Sequence, residues 1–286
     1  MAKKPSPAEG GSSLLKRFFW LCLIVLIGVG AFWAYRHKER LEQMVYSKDH
    51  EDTIETFETA IQPEELLARQ SRLLLTPQHS FGTVSLLFAP HLLLNVKYSL
   101  DGKTSKACTA LWDLTDGELV LNTNNFDHSQ GFADCLVSEA SADDFRILHT
   151  LAIRGGALSK EMICKELGGD DSVICERIEN LKKRHLVIVS NDIVRIHVES
   201  PLIKLEPATL ITRPFVQRTI IYKSLLNAQY TIADIESLVQ AAFGSDLAIR
   251  STRLVFIPIY EIQVNNPDGS IRKTLWNAIS GKEVTY

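Results

Sequence analysis

The residues that come closest to a catalytic set are Asp127, His128 and Ser129, which are consecutive in the chain. A catalytic triad requires a nucleophile, a base and an acid that meet in space, and three adjacent residues of a loop do not provide that geometry. Their surroundings are rich in Asn, Ser and Gly, which is typical of a connecting segment. We therefore interpret residues 123–142 as a linker and predict no catalytic residue in it.

Signature motifs of the common enzyme and metal-binding classes are absent from the sequence. It contains no glycine-rich phosphate loop, HExxH, GxSxG, paired CxxC or EF-hand spacing. The eight histidines show no spacing that places two of them on one helical face. Cys164 and Cys175 are more typical of buried helix packing than of metal ligation. The sequence thus predicts a protein that is not an enzyme, with no catalytic residue, no metal site and no cofactor.

Composition and charge describe a chain that folds without a strong electrostatic bias. The 286 residues are 45% hydrophobic and 23% charged, which excludes collagen-like and wholly disordered proteins. A net charge of −3 gives no overall attraction to nucleic acid or to anionic lipid. The cysteines outside the N-terminal apolar segment fit two disulfides or none, and they are Cys108, Cys135, Cys164 and Cys175.

An uncharged apolar segment, residues 18–35, predicts a transmembrane helix. At about 1.5 Å rise per residue it extends about 27 Å, close to the ~30 Å hydrocarbon core of a bilayer. It follows a flexible tail, residues 1–17, and precedes a juxtamembrane linker, residues 36–52. The residues taken to mark the span are Phe18, Trp20, Ile24, Gly28, Trp33 and Tyr35.

The membrane topology of this predicted span is not fixed by its flanking charges, because four basic residues precede it and four follow it. A short tail before a first apolar segment usually stays in the cytoplasm, which favours an extracytoplasmic C-terminal region. A cleaved signal peptide is the alternative, with small residues at 29–31. The large aromatic residues that follow favour a retained anchor and a single-pass protein of the cell membrane.

Two stretches of the chain repeat one pattern of residues. Each has an apolar strand with a proline, an Asp-Gly hairpin turn, a returning strand that ends in tryptophan, and a second turn closed by glycine. The repeated residues are Pro90, Asp101, Gly102, Trp112 and Gly117, then Pro258, Asp268, Gly269, Trp276 and Gly281. A helix candidate precedes each copy, which predicts two αβββ lobes, residues 53–122 and 217–286. We expect each tryptophan to pack on the helix of its own lobe, and each proline to lie at a sheet edge or bulge.

The second copy resembles the small PepSY family, in which a helix precedes strands with a central Asp-Gly turn and a distinctive closing turn. The closing turn here runs from Asn277 to Lys282, with Asn277 in place of the usual acid. The first copy keeps the acid, Asp113, but lacks the alanine and the Thr or Ser of the motif. The resemblance implies an extracytoplasmic domain that binds or restrains peptidases, which would add a strand along residues 254–264.

Between the two copies, residues 143–198 change to a period of about 3.6 and predict three short helices followed by two strands. This order, with its Gly-Gly turn at 168–169, resembles a winged helix-turn-helix domain. The resemblance implies that residues 171–184 are the recognition helix and that residues 187–198 are the wing. The candidate contacts to DNA or to a protein partner are Arg177, Lys182, Lys183 and Arg184.

The charge balance of this segment favours protein docking over nucleic-acid binding. Residues 143–200 hold nine Lys and Arg against ten Asp and Glu, whereas phosphate binding needs an excess of positive charge. A linker, residues 199–216, follows. The predicted fold is therefore α+β, with an N-terminal transmembrane helix and a winged-helix-like domain inserted between two similar αβββ lobes.

The function predicted from these elements is a bacterial, single-pass, membrane-anchored scaffold for protein interactions, without enzymatic activity and with an unknown protein partner. One alternative is a membrane-tethered winged-helix regulator that binds DNA. The other is a PepSY-type modulator that binds a peptidase.

Overall fold

The computed structural model describes residues 51–76, 78–99, 104–244 and 246–285, which form twelve strands and six α-helices. The strands are β1 (Glu51–Phe57), β2 (Ser80–Ser99), β3 (Ser105–Asp113), β4 (Leu119–Asn122), β5 (Asp127–His128), β6 (Ala157–Ser159), β7 (Val187–Ser190), β8 (Ile193–Ile196), β9 (Phe215–Ile221), β10 (Ala248–Asn265), β11 (Ile271–Asn277) and β12 (Glu283–Val284). The helices are α1 (Pro63–Leu74), α2 (Phe132–Val137), α3 (Ala142–Ile153), α4 (Lys160–Leu167), α5 (Asp171–Lys183) and α6 (Ile232–Phe243).

Nine of the strands form one mixed sheet with the order β12-β11-β10-β2-β3-β4-β5. Its two longest strands, β2 and β10, are antiparallel neighbours from the pair Ser80 and Asn265 to the pair Lys97 and Ala248. Strand β1 adds to β10 in parallel, and β9 adds to β1 in antiparallel orientation. The middle parts of β2 and β10 are apolar runs because both of their faces are buried.

Alternate residues of β2 face two different cores, as the period of two of a strand requires. Leu92 and Leu94 belong to a large cluster that also holds Trp112 and the apolar faces of α2 to α6. Ala89 and Leu93 point to the other face, where they pack with residues of β10. That face is closed by the rings of Phe57, Phe126 and Phe215.

The prediction of two separate αβββ lobes is wrong, because the two copies share this one sheet. The ladders within the copies nevertheless have the same register, since Leu92 pairs with Trp112 as Tyr260 pairs with Trp276. On its other side, each tryptophan pairs with the first residue of the next strand. An approximate twofold axis therefore relates strands β2 to β4 to strands β10 to β12.

This axis passes through the pair Ala89 and Ile257, which precede the two prolines and lie opposite each other. In a separate lobe, the long first strand would leave one edge of backbone N–H and C=O groups unpaired. Joining the two long strands satisfies both edges and buries the apolar runs. That is the physical reason for one shared sheet.

The two helices that precede the copies are exchanged between them. Leu66 of α1 packs in one cluster with Trp276, whereas Leu238 of α6 lies in the cluster of Trp112. Each tryptophan thus shares its core with the helix of the other copy, and the expectation that it packs on its own helix is wrong. The reason is that β2 begins beside the end of β10, so a short connection leaves α1 over β10 and β11.

The entry to each exchanged helix has the same hydrogen bonds. The N–H of Ile61 donates to Ala278 O (3.0 Å), and the N–H of Tyr230 donates to Leu114 O (3.0 Å). Ile61 precedes α1 and Tyr230 precedes α6, and each reaches the closing turn of the other copy. The exchange is therefore symmetric.

The prolines lie in the two central strands and not at a sheet edge. Pro258 is opposite Phe88 on β2, and Pro90 is opposite Phe256 on β10. The C=O of Pro258 accepts from the N–H of Ala278 (2.9 Å), so its nitrogen faces the same side. There β10 changes partner from β1, paired at Phe256, to β11, and the missing N–H costs no ladder hydrogen bond. Residues 254–264 consequently have partners on both sides.

The segment 143–198 contains helix α3, strand β6, helices α4 and α5, and strands β7 and β8, with the sheet order β6-β8-β7. Side-chain caps begin its helices, because Ser141 accepts from Asp144 N (3.3 Å) and Asp170 accepts from Ser172 N (2.8 Å). Its buried residues, such as Ile178, belong to the same cluster as Trp112. The segment therefore shares one hydrophobic core with the sheet.

No helix in the described part of the chain is long and apolar enough to cross a membrane. The longest described helix, α5, has 13 residues and extends about 20 Å, less than the ~30 Å of a hydrocarbon core. The predicted span, residues 18–35, and the residues taken to mark it lie outside the described residues. The prediction of a single-pass protein of the cell membrane is corrected accordingly.

Candidate functional site

Polar side chains line a cavity of about 210 Å³ where the closing turns of the two copies face each other. Asp113 and Asp116 belong to the first turn, Asn277 and Ser280 belong to the second, and β5 contributes His128. The remaining lining residues are His91, Phe126, Lys282, Glu283, Val284 and Thr285. The site thus depends on both copies of the repeat.

The first closing turn fixes the orientation of Asp113. Its Oδ1 accepts hydrogen bonds from Thr115 N (2.7 Å) and from the hydroxyl of Thr115. Gly117 has a φ of +80°, and its N–H donates to Asp113 O (3.0 Å). A Cβ at Gly117 would lie 2.6 Å from the side chain of Leu136, so only glycine fits there. The turn leaves the Oδ2 atom of Asp113 for the cavity.

His91 and Asp113 lie opposite each other in the ladder between β2 and β3, and each is only 1% exposed. His91 Nδ1 lies 3.1 Å from Ala89 O, a carbonyl that can only accept, so the ring carries its proton on Nδ1. Its other nitrogen, Nε2, is 3.4 Å from Asp113 Oδ2. Among the described residues, Oδ2 of Asp113 receives no hydrogen bond although it is buried.

In its neutral form, with the proton on Nδ1, the His91 ring would present the lone pair of Nε2 to a carboxylate oxygen that has no hydrogen-bond donor among the described residues. Two acceptor atoms at this distance require a cation near both of them, either a proton or a metal ion. Burial raises the pKa of the Asp113 carboxyl, and the nearby charge of His91 opposes this shift. Among the described polar atoms that line the cavity, Asp113 Oδ2 is thus a buried acceptor without a hydrogen-bond donor.

Asp116 and His128 form a second acid and imidazole pair. His128 Nδ1 donates to Asp116 Oδ2 (2.8 Å), and Asp116 Oδ1 accepts from Glu118 N (2.8 Å). Burial acts to raise the pKa of Asp116, but the hydrogen bond and charge of His128 outweigh it and lower that pKa. Burial acts to lower the pKa of His128, and its bond to Asp116 instead raises it.

Glu118 positions the segment that carries His128. Its Oε1 accepts from Gly131 N (2.8 Å) and Ala133 N (3.0 Å), while its Oε2 accepts from the hydroxyl of Ser129. Burial raises the pKa of this carboxyl, against the lowering effect of these donors. Glu118 thus anchors the start of α2 and the end of β5 from within the first copy.

Three residues of the two pairs have the composition and spacing of a metal site, and His91 adjoins them through Asp113. Asp113, Asp116 and His128 each offer one ligand atom, and these atoms lie within 4.8 Å of one another. Ligand atoms about 2.0–2.1 Å from a tetrahedral zinc ion lie about 3.4 Å apart. This separation matches the 3.4 Å between His91 Nε2 and Asp113 Oδ2. A ring N–H donated to a backbone carbonyl, as in His91, is the usual support of a ligating histidine.

The residues that sequence reasoning considered as a triad do not act together. Asp127 Oδ1 pairs with Lys282 Nζ (2.6 Å), His128 bonds Asp116, and Ser129 bonds Glu118. The segment interpreted as a linker contains β5 and α2, and it places His128 in the cavity.

Sequence reasoning missed the four-residue cluster because its histidines come from separate strands. The available signal was the first closing turn, which carries Asp113 and Asp116 where the second copy has Asn277 and Ser280. An acidic turn in one copy whose counterpart in the other copy is neutral is a chemical difference between the copies that points to a site. The histidines themselves have no sequence pattern that points to them.

The residues proposed to contact DNA or a partner lie on and after α5, away from the cavity. Arg177 pairs with Asp143 (2.6 Å), Lys182 with Glu179 (3.8 Å) and Arg184 with Asp144 (2.8 Å). Lys183 forms no ion pair within the part of the chain that the structure describes. The basic side chains of this element are thus mostly neutralised by acids of the same segment.

The remaining repeat residues have structural roles. The second Asp-Gly turn is closed by Asp268, which accepts from Ser270 N (2.9 Å), and by Gly269 with a φ of +83°. Asp101 and Gly102, the first Asp-Gly turn, lie outside the described residues. The described cysteines are free thiols, namely Cys108, Cys135, Cys164 and Cys175.

The winged-helix and PepSY resemblances drawn from the sequence stay predictions. Comparison with protein-family models, with curated proteins and with solved structures finds no match to this chain.

Proposed function

We propose that this protein binds a divalent first-row transition-metal ion through Asp113, Asp116, His128 and His91. The observation that carries the proposal is the Oδ2 atom of Asp113, which is buried and has no hydrogen-bond donor in the described part of the chain. It lies 3.4 Å from His91 Nε2, the ring nitrogen on the other side from the one that bonds Ala89 O.

The energetic argument starts from the cost of this arrangement. A buried polar group without a partner costs about 1–3 kcal/mol, and more when it is charged. A metal ion bound by Oδ2 and Nε2 would offset that cost and would use both lone pairs. A proton is the competing occupant, so a direct binding measurement distinguishes the two.

The ligand atoms select the class of metal. Imidazole nitrogens suit zinc, iron, nickel and copper, while carboxylate oxygens suit magnesium, calcium and manganese. A mixed set of two imidazoles and two carboxylates favours Zn²⁺ and neighbouring divalent ions over Mg²⁺ or Ca²⁺. No thiol lines the described cavity, so soft thiolate chemistry is not part of the proposal.

Calorimetric titration of the full chain with Zn²⁺, after treatment with a chelator, tests the proposal. We expect one ion per chain, together with a rise in thermal stability at saturating metal, because a ligand that binds only the folded state stabilises it. The variants Asp113→Asn and His128→Gln should each lose most of the affinity. His149→Gln is the control, since His149 on α3 also has a buried ring nitrogen but lies outside the cavity.

The proposal is overturned if the wild-type chain does not bind Zn²⁺, Co²⁺ or Mn²⁺ at micromolar concentration. It is equally overturned if Asp113→Asn binds as tightly as the wild type. Co²⁺ serves as a second probe because its visible spectrum reports the number and type of its ligands.

We further propose protein docking, not DNA binding, for residues 143–198. The supporting observation is that Arg177, Lys182 and Arg184 form ion pairs with acids of the same segment. Such pairs leave little positive charge for phosphate groups.

A further inference from the structure

The second closing turn forms the wall of the cavity that faces Asp113 and Asp116. It has the same backbone as the first turn, since the N–H of Gly281 donates to Asn277 O (2.8 Å) as that of Gly117 donates to Asp113 O (3.0 Å). Asn277 Oδ1 accepts from Ile279 N (2.9 Å), as Asp113 Oδ1 accepts from Thr115 N. The two walls therefore differ in side-chain chemistry and not in fold.

At three equivalent positions the side chain is acidic in the first turn and is neutral or positively charged in the second. Asp113 in the first copy corresponds to Asn277 in the second, and Asp116 corresponds to Ser280. Glu118 corresponds to Lys282, because the N–H of Asp113 donates to Glu118 O as that of Asn277 donates to Lys282 O. Every acid of the first turn is replaced by a neutral donor or by a cation.

The second wall offers hydrogen-bond donors to the cavity. Oδ1 of Asn277 is used by two backbone N–H groups, so its amide nitrogen remains, and no described residue accepts a hydrogen bond from it. The hydroxyl of Ser280 accepts from Lys282 N (3.3 Å), and its own proton has no acceptor within the described ranges. Lys282 uses one of its three N–H groups for Asp127.

A ligand that fits these two walls must carry only acceptors on the side that faces the second turn and must coordinate a metal on the other. We propose that the metal-loaded cavity binds a small oxyanion, a carboxylate or a phosphate, between the ion and the donors of Asn277, Ser280 and Lys282. This inference rests on the proposed metal-binding function. Four protein ligands complete a tetrahedral ion, so the anion binds by raising the coordination number of the ion to five.

Size and charge limit the ligand further. The cavity of about 210 Å³ is smaller than the ~300–1,000 Å³ of sites for drug-sized molecules, which favours an anion of few atoms. Glu283 lies at the exposed rim and adds one negative charge there. The anion is therefore attracted by the ion and the donors inside the cavity, and not by its entrance.

Titration of the Co²⁺-loaded full chain with acetate and with phosphate tests the inference. We expect a saturable change in the visible Co²⁺ spectrum, because an oxygen atom of the anion enters the coordination sphere. The two anions are separate arms, and the one with the lower dissociation constant identifies the class of ligand. A preceding titration of the metal-free chain with Co²⁺ establishes that the ion itself binds.

The variant Asn277→Asp is the sharpest probe of the second wall. The carboxylate keeps the oxygen that accepts from Ile279 N, so the turn folds, but it replaces a donor by a negative charge. We expect the dissociation constant of the anion to rise by about 10-fold or more, while Co²⁺ still binds. Lys282→Met should weaken the anion in the same direction. Lys273→Met is its matched control, since Lys273 pairs with Glu261 on the sheet and does not line the cavity.

The outcomes separate the two proposals. A Co²⁺ spectrum that neither anion changes overturns the oxyanion site and leaves the metal site standing. Equal anion affinity in Asn277→Asp and the wild type also overturns it. Failure of Co²⁺ to bind in the first titration overturns the metal-binding function, and the oxyanion site with it.

Discussion

His91 Nε2 and Asp113 Oδ2 face each other at 3.4 Å within the core, with no donor for the oxygen in the described residues. A fold selected only for stability would place an amide or a hydroxyl at one of these positions, because a buried acceptor without a partner is costly. Under the proposed metal-binding function, this is a place where the fold gives up stability for binding.

The variant Asp113→Asn tests this loss of stability directly. Asparagine keeps the oxygen that caps Thr115, and its amide N–H can donate to Nε2 of His91. We expect the metal-free variant to be more stable than the wild type by about 1 kcal/mol in chemical denaturation. The stabilisation of the protein by Zn²⁺ should be lost in the same variant. A lower stability of the metal-free variant would contradict this expectation.

The exchanged helices predict that damage in one copy appears in the other. Trp276→Ala should cost about 3–5 kcal/mol and should expose the backbone amides of α1, the helix of the first copy, to hydrogen exchange. Trp112→Ala should instead deprotect α6. If Trp276→Ala deprotected α6 and Trp112→Ala deprotected α1, the exchange would be disproved.

The closing turns predict a graded response to alanine. Gly117→Ala and Gly281→Ala combine a positive φ with a Cβ that would lie 2.6 Å and 2.8 Å from neighbouring side chains. Gly155 has a φ of +78° but no atom within 4 Å of the added Cβ. Gly155→Ala therefore measures the loss of stability that comes from the positive φ alone. Thermal unfolding should rank Gly117→Ala lowest, because the ring of Tyr230 also lies 2.9 Å from its Cβ. Gly281→Ala should lie closer to the control, because the end of the Ile61 side chain can move away. The control itself costs about 1 kcal/mol. Equal losses in all three would show that the close contacts do not matter.

A buried ion pair predicts how stability depends on pH. Asp144 Oδ2 accepts from Arg184 Nη2 (2.8 Å) and from Ser141 N (2.9 Å). Burial acts to raise the pKa of Asp144, but the bonds from Arg184 and Ser141 outweigh it and lower that pKa. A lowered pKa stabilises the fold above the unfolded value of about 3.9, and this contribution disappears as the pH falls through the folded pKa.

The variant Asp144→Asn should therefore reduce the free energy of unfolding by about 1–3 kcal/mol at neutral pH, with the difference from wild type shrinking in acid. Asp143→Asn is the matched control on the same helical turn, because Asp143 is half-exposed and exposed pairs contribute little. Urea unfolding at a series of pH values measures both. A difference that grows towards acid would have the wrong sign for this mechanism.

The ion pairs on α5 predict a negative result with nucleic acid. Mobility shift with duplex DNA at physiological salt should detect no complex at micromolar protein, because three of the four candidate basic side chains are paired with acids. The triple variant Lys182→Ala, Lys183→Ala and Arg184→Ala should lower stability through the loss of the Arg184 pair. Tight, salt-dependent binding that this variant abolishes would favour the regulator hypothesis instead.

The extent to which sequence predicts this fold differs between local and distant features. The second Asp-Gly turn, the two closing turns and the helices of residues 143–198 follow from local rules of spacing and side-chain chemistry. So do the side-chain caps of Ser159 on α4 and Thr231 on α6. The shared sheet does not, since nothing local in β2 states that its partner is β10. The repeat could be read from the residues, but which helix covers which copy depends on where a long strand begins.

The candidate site has the same limitation. His91 is one more polar residue in an apolar strand, and His128 lies in a segment whose composition is typical of a linker. They meet because β2, β3 and β5 belong to one sheet and because Glu118 anchors the chain between β5 and α2. Such convergence is a property of topology, and a single sequence does not encode it in any pattern of spacing.

The helix exchange also bears on how the chain folds as it is made. Synthesis proceeds from the N-terminus, so α1 is complete long before Trp276, with which its Leu66 is buried, has been added. Contacts between residues so distant in sequence are slow to form, because a long loop must close first. The apolar face of α1 is thus without its final partner until β11 has left the ribosome. Emergence of the second copy, and not completion of the first, is the event that allows this fold to close.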